Sequence, residues 1–434
     1  MFIIYSFLLT LGFILMSPFF LLKRGKYAAG FWQRMGFLPE FRQDHRPVLW
    51  IHCVSVGEAN AAQPLVEKLK EQFPDYRLII STTTRTGQTH AQNIFKNTAE
   101  EVFYFPFDWK FAVRRALRNY QPNIVLLMET ELWFNFIREA SANGVFVAVV
   151  NGRLSEKSLK NYSRIPKLMK RVLRRVDLAL MQSQSDAKRI IALGIRPSKV
   201  KITGNVKFDQ AFEKYELTEV LRIRFAVSPD SPLIVAASTH APEEKWILEA
   251  FKQVYKNSPV KLPRLLIAPR HPERFAEVGL LIDETGLAGV RRSSAPLPSD
   301  ELADVILLDS IGELRAVYPL AEIVFVGGSL IPHGGQSVLE PAVDGKPIIT
   351  GFYTMNFAAV VKEFLEKNAL IQLPETDGKT ISGKLAETFS EVLESIETRR
   401  TLGANALAVM EKNSGATAKT IEILSSLLQV HNKR

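Results

Sequence analysis

The sequence predicts an α/β protein built from two doubly wound domains that face each other across a cleft. Short apolar runs alternate with longer helical stretches from residue 48 onward, the pattern of parallel sheets flanked by helices. The series restarts after a proline- and serine-rich stretch at 228–232, and the residues just past many runs are glycines, acids and bases. In open α/β sheets ligands sit beyond the carboxyl ends of the strands, so those residues are the ones to read for chemistry.

The chain of 434 residues, 47% of them apolar, has room for about two or three packed domains. Residues 2–22 carry no charge and as a helix would reach roughly 30 Å, the thickness of a hydrocarbon core. The uncharged start and the bulky exit Phe19-Phe20-Leu21-Leu22 are unlike a cleaved signal, so residues 1–23 are expected to form an uncleaved membrane anchor. Lys23, Arg24, Lys26 and Arg34 follow it and place the remaining chain in the cytoplasm. Ser6, Thr10 and Pro18 also allow a helix that enters one leaflet only.

Residues 24–47 form an aromatic and basic connector. The first domain, 48–227, is expected to place strands at 48–54, 77–82, 102–104, 124–128, 145–150, 178–181 and 200–203. Residues 228–232 read as the hinge. The second domain, 228–405, follows with strands at 233–237, 264–268, 289–291, 305–308, 323–326 and 347–350. Apolar spacing predicts helix over 382–428, and residues 406–434 are expected to pack back over the domains.

A net charge of +10 and a pI near 9.5 call for an anionic partner. Nucleic acid, membrane surface and phosphorylated small molecules all fit that charge, but no nucleic-acid motif accompanies it. Lys157, Lys160, Arg164, Lys167, Arg171 and Arg174 recur at steps of three and four, which predicts one basic helical face. Such a face attracts anionic headgroups by about 1 kcal/mol per charge near a membrane. The single cysteine, Cys53, lies inside an apolar run and reads as a buried, inert thiol.

Past the first run comes Ser55-Val56-Gly57-Glu58, with Glu58 in a first helical turn. There a carboxylate either pairs with the helix dipole, which lowers its pKa, or serves as general base to a hydroxyl in a dry cleft. Glu129-Thr130-Glu131 ends another run; with no nearby histidine and no Asp-x-Asp, positioning or electrostatic stabilisation is favoured over metal binding. Lys207 can meet a phosphate or carboxylate, or pair with Asp209 or a neighbour.

In the second domain, Ser238-Thr239-His240, Pro269-Arg270 and Asp309 to Leu314 end three further runs. Arg270 suits bidentate phosphate binding, and residues 311–314 are expected to open a helix whose free amides favour an anion. Residues 321–342 read as strand, glycine loop and helix start. Gly327 and Gly328 end the strand, Gly334 and Gly335 admit an anion, and Ser337 with Glu340 has capping-box spacing. There is no GxxxxGK[ST] loop, no GxGxxG, no GxSxG and no spaced zinc-ligand set.

The ordered segments VSVGE (54–58), METELW (128–133), NGRLS (151–155), GNVKFD (204–209), ASTH (237–240), PRHPER (269–274), DSIGEL (309–314) and GGSLIPHGGQSVLEPA (327–342) resemble the Kdo (3-deoxy-D-manno-octulosonate) transferases of lipopolysaccharide synthesis. The resemblance covers nearly the whole chain. It implies a GT-B architecture, CMP-Kdo as donor, a lipid A precursor of the lipid IVA type as acceptor, and inverting transfer without metal or other cofactor at the cytoplasmic face of the inner membrane. It makes Glu58 the general base and assigns Glu129 and Lys207 to transition-state stabilisation. CMP binding falls on Pro269 and Arg270, on Ile311, Gly312, Glu313 and Leu314, and on Ser337, Val338, Leu339 and Glu340. Two departures stand out: Gln336-Ser337 replaces the family's usual His-Asn, and Phe134 its usual proline. A GT-B enzyme using another nucleotide sugar, and a non-catalytic membrane-tethered binding protein, are the rival readings.

Overall fold

The computed structural model describes residues 2–22, 29–209, 216–228, 230–257 and 262–431. The chain forms two compact units, Met1–Asp209 with Asn413–Arg434, and Gln210–Lys412.

The first unit holds a sheet of β1 (Val48–Cys53), β2 (Arg77–Thr82), β3 (Glu101–Tyr104), β4 (Ile124–Met128), β5 (Phe146–Gly152), β6 (Leu178–Met181) and β7 (Val200–Ile202). Its order is β3-β2-β1-β4-β5-β6-β7 with every pair parallel. β1, β2 and β4 are buried along their whole length, which is why β4 is unbroken apolar sequence and β1 and β2 carry apolar runs at 48–51 and 78–80 rather than alternating residues. Strand order reverses between β1 and β4, so the segments leaving these two strands flank a topological switch point.

One face of this sheet packs an aromatic core of Trp50, Phe103, Phe105, Tyr120 and Phe136. The other packs Ile51, Leu65, Leu69, Ile80 and Leu126 against Ala416, Ile421, Leu424 and Leu428 of the helix Ala416–His431. That helix is held at its start by Asp209, whose carboxylate accepts the N–H groups of Gly415 (2.6 Å), Ala416 (3.2 Å) and Thr417. Tyr76 Oη donates to the carbonyl of Leu428 near its end (2.9 Å). The segment expected to pack back therefore completes the first unit, beginning at residue 413 rather than 406.

The second unit repeats the plan with β8 (Leu233–Thr239), β9 (Arg264–Pro269), β10 (Gly289–Arg291), β11 (Val305–Leu307), β12 (Ile323–Val326), β13 (Ile348–Thr350) and β14 (Ile371–Gln372), ordered β10-β11-β9-β8-β12-β13-β14 and all parallel. Here the order reverses between β8 and β12. β14 was not expected, because its two residues are too few to show a period.

Several expectations are corrected. The boundary lies at residue 209, not 227: the helix Glu216–Arg224 belongs to the second unit, with Thr218 Oγ1 donating to the carbonyl of Ala316 (2.9 Å) and Arg224 pairing with Asp300 at 2.7 Å. The expected hinge is a turn within that unit, closed by Ser231 N–H donating to the Ser228 carbonyl (3.0 Å); Pro229 in it lies outside the described residues. Helix over 382–428 is broken into Ile381–Glu394, Ile396–Asn413 and Ala416–His431. The six basic residues do not share one helix: Lys157 and Lys160 lie on Glu156–Tyr162 and Lys167 and Arg171 on Pro166–Leu173, with Arg164 between the two and Arg174 just past the second, because Pro166 starts a new helix and cannot continue the first.

The N-terminal helix, Phe2–Leu22, forms as expected but docks on the first unit. Tyr5 Oη donates to Asp108 (2.8 Å), Asn135 Nδ2 to Ser6 Oγ (3.0 Å) and Trp109 Nε1 to Thr10 Oγ1 (3.0 Å). Ile3, Ile4, Phe7, Leu8, Ile14 and Leu15 remain exposed. Among the described residues no helix is long and apolar enough to cross a membrane, and the crossing expected of residues 1–23 finds no support there. Lys23, Arg24 and Lys26 lie outside the described residues.

Candidate active site

In the first unit, the end of β1 turns sharply into the helix Val56–Gln72 and brings Glu58 into its first turn. The carboxylate folds back on the turn. Its Oε2 accepts the Val54 N–H at 2.8 Å, and its Oε1 lies 3.4 Å from Ser55 Oγ. Only 8% of Glu58 is exposed. Burial pushes its pKa up to about 8, with the charges of Glu129 and Glu131 adding to the rise and the Val54 N–H and Lys207 opposing it. Of the two readings left open for this carboxylate, desolvation outweighs the helix dipole.

Glu129 leaves β4 in a left-handed conformation (φ 54°) and pairs with Lys207, whose Nζ lies 3.0 Å from its Oε1. Lys207 thus finds Glu129 rather than Asp209, which is occupied in capping the C-terminal helix. The segment carrying Lys207 is fixed by two asparagines. Asn151 Oδ1 accepts the Val206 N–H (3.1 Å), and Asn205 Oδ1 accepts the Lys207 N–H (3.0 Å). Asn151, itself buried and left-handed at φ 54°, was given no role from sequence. Its position beside Gly152 in the NGRLS segment was the available signal. Glu58, Glu129, Glu131 and Lys207 thus share one electrostatic neighbourhood, with Glu131 also raised, by burial and by Glu129.

In the second unit, Pro269 closes β9 and Arg270 projects an exposed side chain while its N–H donates to the Thr239 carbonyl (3.0 Å). Glu340 sits in the first turn of the helix Leu339–Val343. Burial raises its pKa, against the charges of Arg315 and Arg270 and a hydrogen bond with the buried Tyr318. Arg315 follows Leu314 directly and Tyr318 lies one helical turn on, so they tie segments 311–314 and 337–340 to one basic neighbourhood that includes Arg270. Neither residue was singled out from sequence.

Three local expectations change. The helix after Leu308 starts at Leu314 and runs only to Val317, leaving Ile311 80% exposed and Gly312 at φ 86° in the loop before it. Glu313 is drawn into a pair with Arg292 (2.9 Å) and accepts from Ser310 Oγ (2.6 Å). Ser337 does not form a capping box: Val338 is the residue before the helix, and the Leu339 N–H reaches Ser337 Oγ only at 3.4 Å. The glycine loop closes on itself, since Gly335 N–H donates to the Gly328 carbonyl (2.7 Å) and Gln336 N–H to that of Gly327 (3.1 Å).

Residues 29–210 match the family model described as 3-deoxy-D-manno-octulosonic-acid transferase (kdotransferase). A 3-deoxy-D-manno-octulosonic acid transferase from Haemophilus influenzae is 32% identical over 94% of this chain and 93% of its own length. A second protein of that name, from Bordetella pertussis, is 31% identical over 88% of this chain and 87% of its own. Among solved structures, a glycosyltransferase from Rickettsia africae covers 89% of this chain and 99% of its own with a TM-score of 0.57 at 14% identity, a likeness of fold alone. Two parallel-sheet α/β units are thus the architecture found in GT-B glycosyltransferases.

Proposed function

Because the chain belongs to the 3-deoxy-D-manno-octulosonic acid (Kdo) transferase family and is a Kdo-transferring glycosyltransferase, we propose that it moves Kdo from CMP-Kdo to a lipid A precursor with inversion at the anomeric carbon and without metal. Glu58 takes the proton of an acceptor sugar hydroxyl as that oxygen attacks the anomeric carbon. The bond from that carbon to the phosphate oxygen of CMP breaks, and both its electrons leave with CMP. Lys207, held by Glu129, supplies positive charge to the developing transition state. Arg270 and the segments 311–314 and 337–340 receive the nucleotide, Arg270 through its planar fork on the phosphate.

The observation that carries this reading is Glu58: a buried carboxyl at a strand's carboxyl end, with proton affinity near neutrality and a Glu129–Lys207 pair beside it. Such a group holds a proton well enough to accept one from a hydroxyl in a dry site.

A membrane-surface location is supported by the exposed apolar side of the N-terminal helix and by a groove in the same unit lined by Phe2, Ile3, Arg138, Arg171, Arg174 and Arg175. Apolar insertion and arginine–headgroup attraction together suit attachment to one leaflet.

The test is purified protein given CMP-Kdo generated in place and a lipid A precursor, with mass spectrometry of the lipid. A mass increase of one or more Kdo residues is expected, and Glu58→Ala should abolish it while CMP binding by calorimetry persists. Tighter binding of UDP than of CMP would overturn the donor assignment.

A further inference from the structure

The second unit holds a cluster that this mechanism does not use. His240, at the end of β8, lies with its ring centroid 4.2 Å from that of His333 and 5.2 Å from that of His271. His240 is 6% exposed. Its Nδ1 lies 3.1 Å from the Ser238 carbonyl, which can only accept, so Nδ1 carries the proton and Nε2 presents its lone pair. That Nε2 is buried and has no partner among the described residues.

The cluster is rigidly built. Glu243 is fully buried, and its carboxylate accepts four backbone N–H groups: His240 (2.9 Å) and Gly328 (2.7 Å) on Oε2, Ser329 (2.9 Å) and Leu330 (2.9 Å) on Oε1. It therefore pins the loops leaving β8 and β12 to each other at the switch point of the sheet. A Cβ added at Gly328 would stand 3.3 Å from His333 and 3.4 Å from His240, so the backbone there packs directly on both rings. A buried ring nitrogen left unpaired is costly, and beside the Arg270 cation an anion that brings a proton onto Nε2 relieves it.

We propose that His240, His271 and His333 form a subsite for the carboxylate of the donor sugar, bordered by Arg270, which holds the nucleotide phosphate beside it. This rests on the CMP-Kdo reading and deepens it. A sugar acid carries a negative charge beside its anomeric carbon that a neutral nucleotide sugar lacks. A hydroxyl of a neutral sugar can only donate to the Nε2 lone pair, whereas a carboxylate draws a proton onto Nε2 and accepts it in a charged hydrogen bond, so the subsite discriminates by charge rather than by size.

The groups facing His240 are His271, His333 and Arg270, with Glu243 bonded to its N–H and Glu273 3.8 Å from His271. Burial, then the charges of His333, His271 and Arg270, hold the His240 ring down to about 4, so it is neutral in the empty site at neutral pH. A bound carboxylate favours the protonated His240 imidazole. Donor binding should then take up a proton and weaken as pH rises.

The full-length protein is compared with His240→Gln and with the double variant His271→Gln/His333→Gln, whose side chains lie on exposed loops. Calorimetry gives the CMP Kd, and initial rates with CMP-Kdo generated in place give KM and kcat over about pH 6 to pH 8. Expected are a CMP Kd within about twofold of the parent, a donor KM raised about tenfold or more, and a donor KM that climbs with pH in the parent but flattens in His240→Gln. An unchanged donor KM in both variants overturns the subsite. So does a CMP Kd that weakens in step with donor KM, which would give the cluster to the phosphate. Failure of the parent to bind CMP at all is a separate result, seen before any variant is made, and it removes the donor reading together with the subsite.

Discussion

Replacing Glu58 with glutamine should stabilise the folded chain at alkaline pH while removing turnover. The carboxyl ionises near 4.5 when solvated and near 8 in the folded chain. Below pH 4.5 both states are protonated and the group contributes no slope. Between pH 4.5 and pH 8 the unfolded chain gives up the proton while the folded chain keeps it, so stability falls as pH rises, by about 1.4 kcal/mol per pH unit. Above pH 8 both are ionised, and the accumulated loss is on the order of 5 kcal/mol. Glutamine is neutral throughout, and its amide oxygen can still accept the Val54 N–H. Urea denaturation at pH 5 and pH 8 should therefore show the variant gaining several kcal/mol on the parent between the two conditions. An offset between parent and variant that is the same at both values would refute the buried, proton-holding carboxyl, and with it the physical basis for calling Glu58 a base. The kinetic counterpart is a parent rate that rises about tenfold per pH unit and levels off near pH 8.

The neighbours of Glu58 should move that limb in opposite directions: Lys207→Met removes a charge that lowers its pKa and shifts the limb to higher pH, while Glu129→Gln removes one that raises it and shifts the limb lower. Pre-steady-state rates against pH would show a common direction if the two act only through folding. Asp209→Ala strips the cap from the helix Ala416–His431; hydrogen exchange should show that helix opening more readily, at a cost of about 1–2 kcal/mol, with the second unit unaffected. Glu243→Ala orphans four backbone N–H groups and should lower stability by about 4 kcal/mol or more, read as a large drop in Tm. Arg270→Lys keeps the charge but loses the fork, so CMP binding by calorimetry should weaken about tenfold.

The strands and the positions of Glu58, Glu129, Lys207 and Arg270 could be read from sequence for one reason. Parallel strands buried on both faces leave unbroken apolar runs, and the residue types just past those runs mark the ligand-facing end of the sheet. What escaped were partnerships between residues far apart in the chain. Tyr5 meets Asp108, Ser6 meets Asn135 and Thr10 meets Trp109, and these bonds give the expected anchor segment a docking face on the first unit. Asp209 meets Gly415 and Ala416, which assigns the last helix to the first unit.

The ionisation of Glu58 shows the same limit in energetic form. A carboxylate in a helix's first turn gains about 0.3–1 kcal/mol from the dipole, and that much is visible in the order of residues. Removal from water costs an ionised carboxylate several kcal/mol, and that depends on Glu129, Glu131 and the fold of two sheet strands around it. The larger effect is set by distant residues and wins. The sequence therefore places this acid at the strand end and leaves the direction of its pKa open. It is the property that burial decides, a proton held near neutral pH, that fits Glu58 to accept a proton from a sugar hydroxyl.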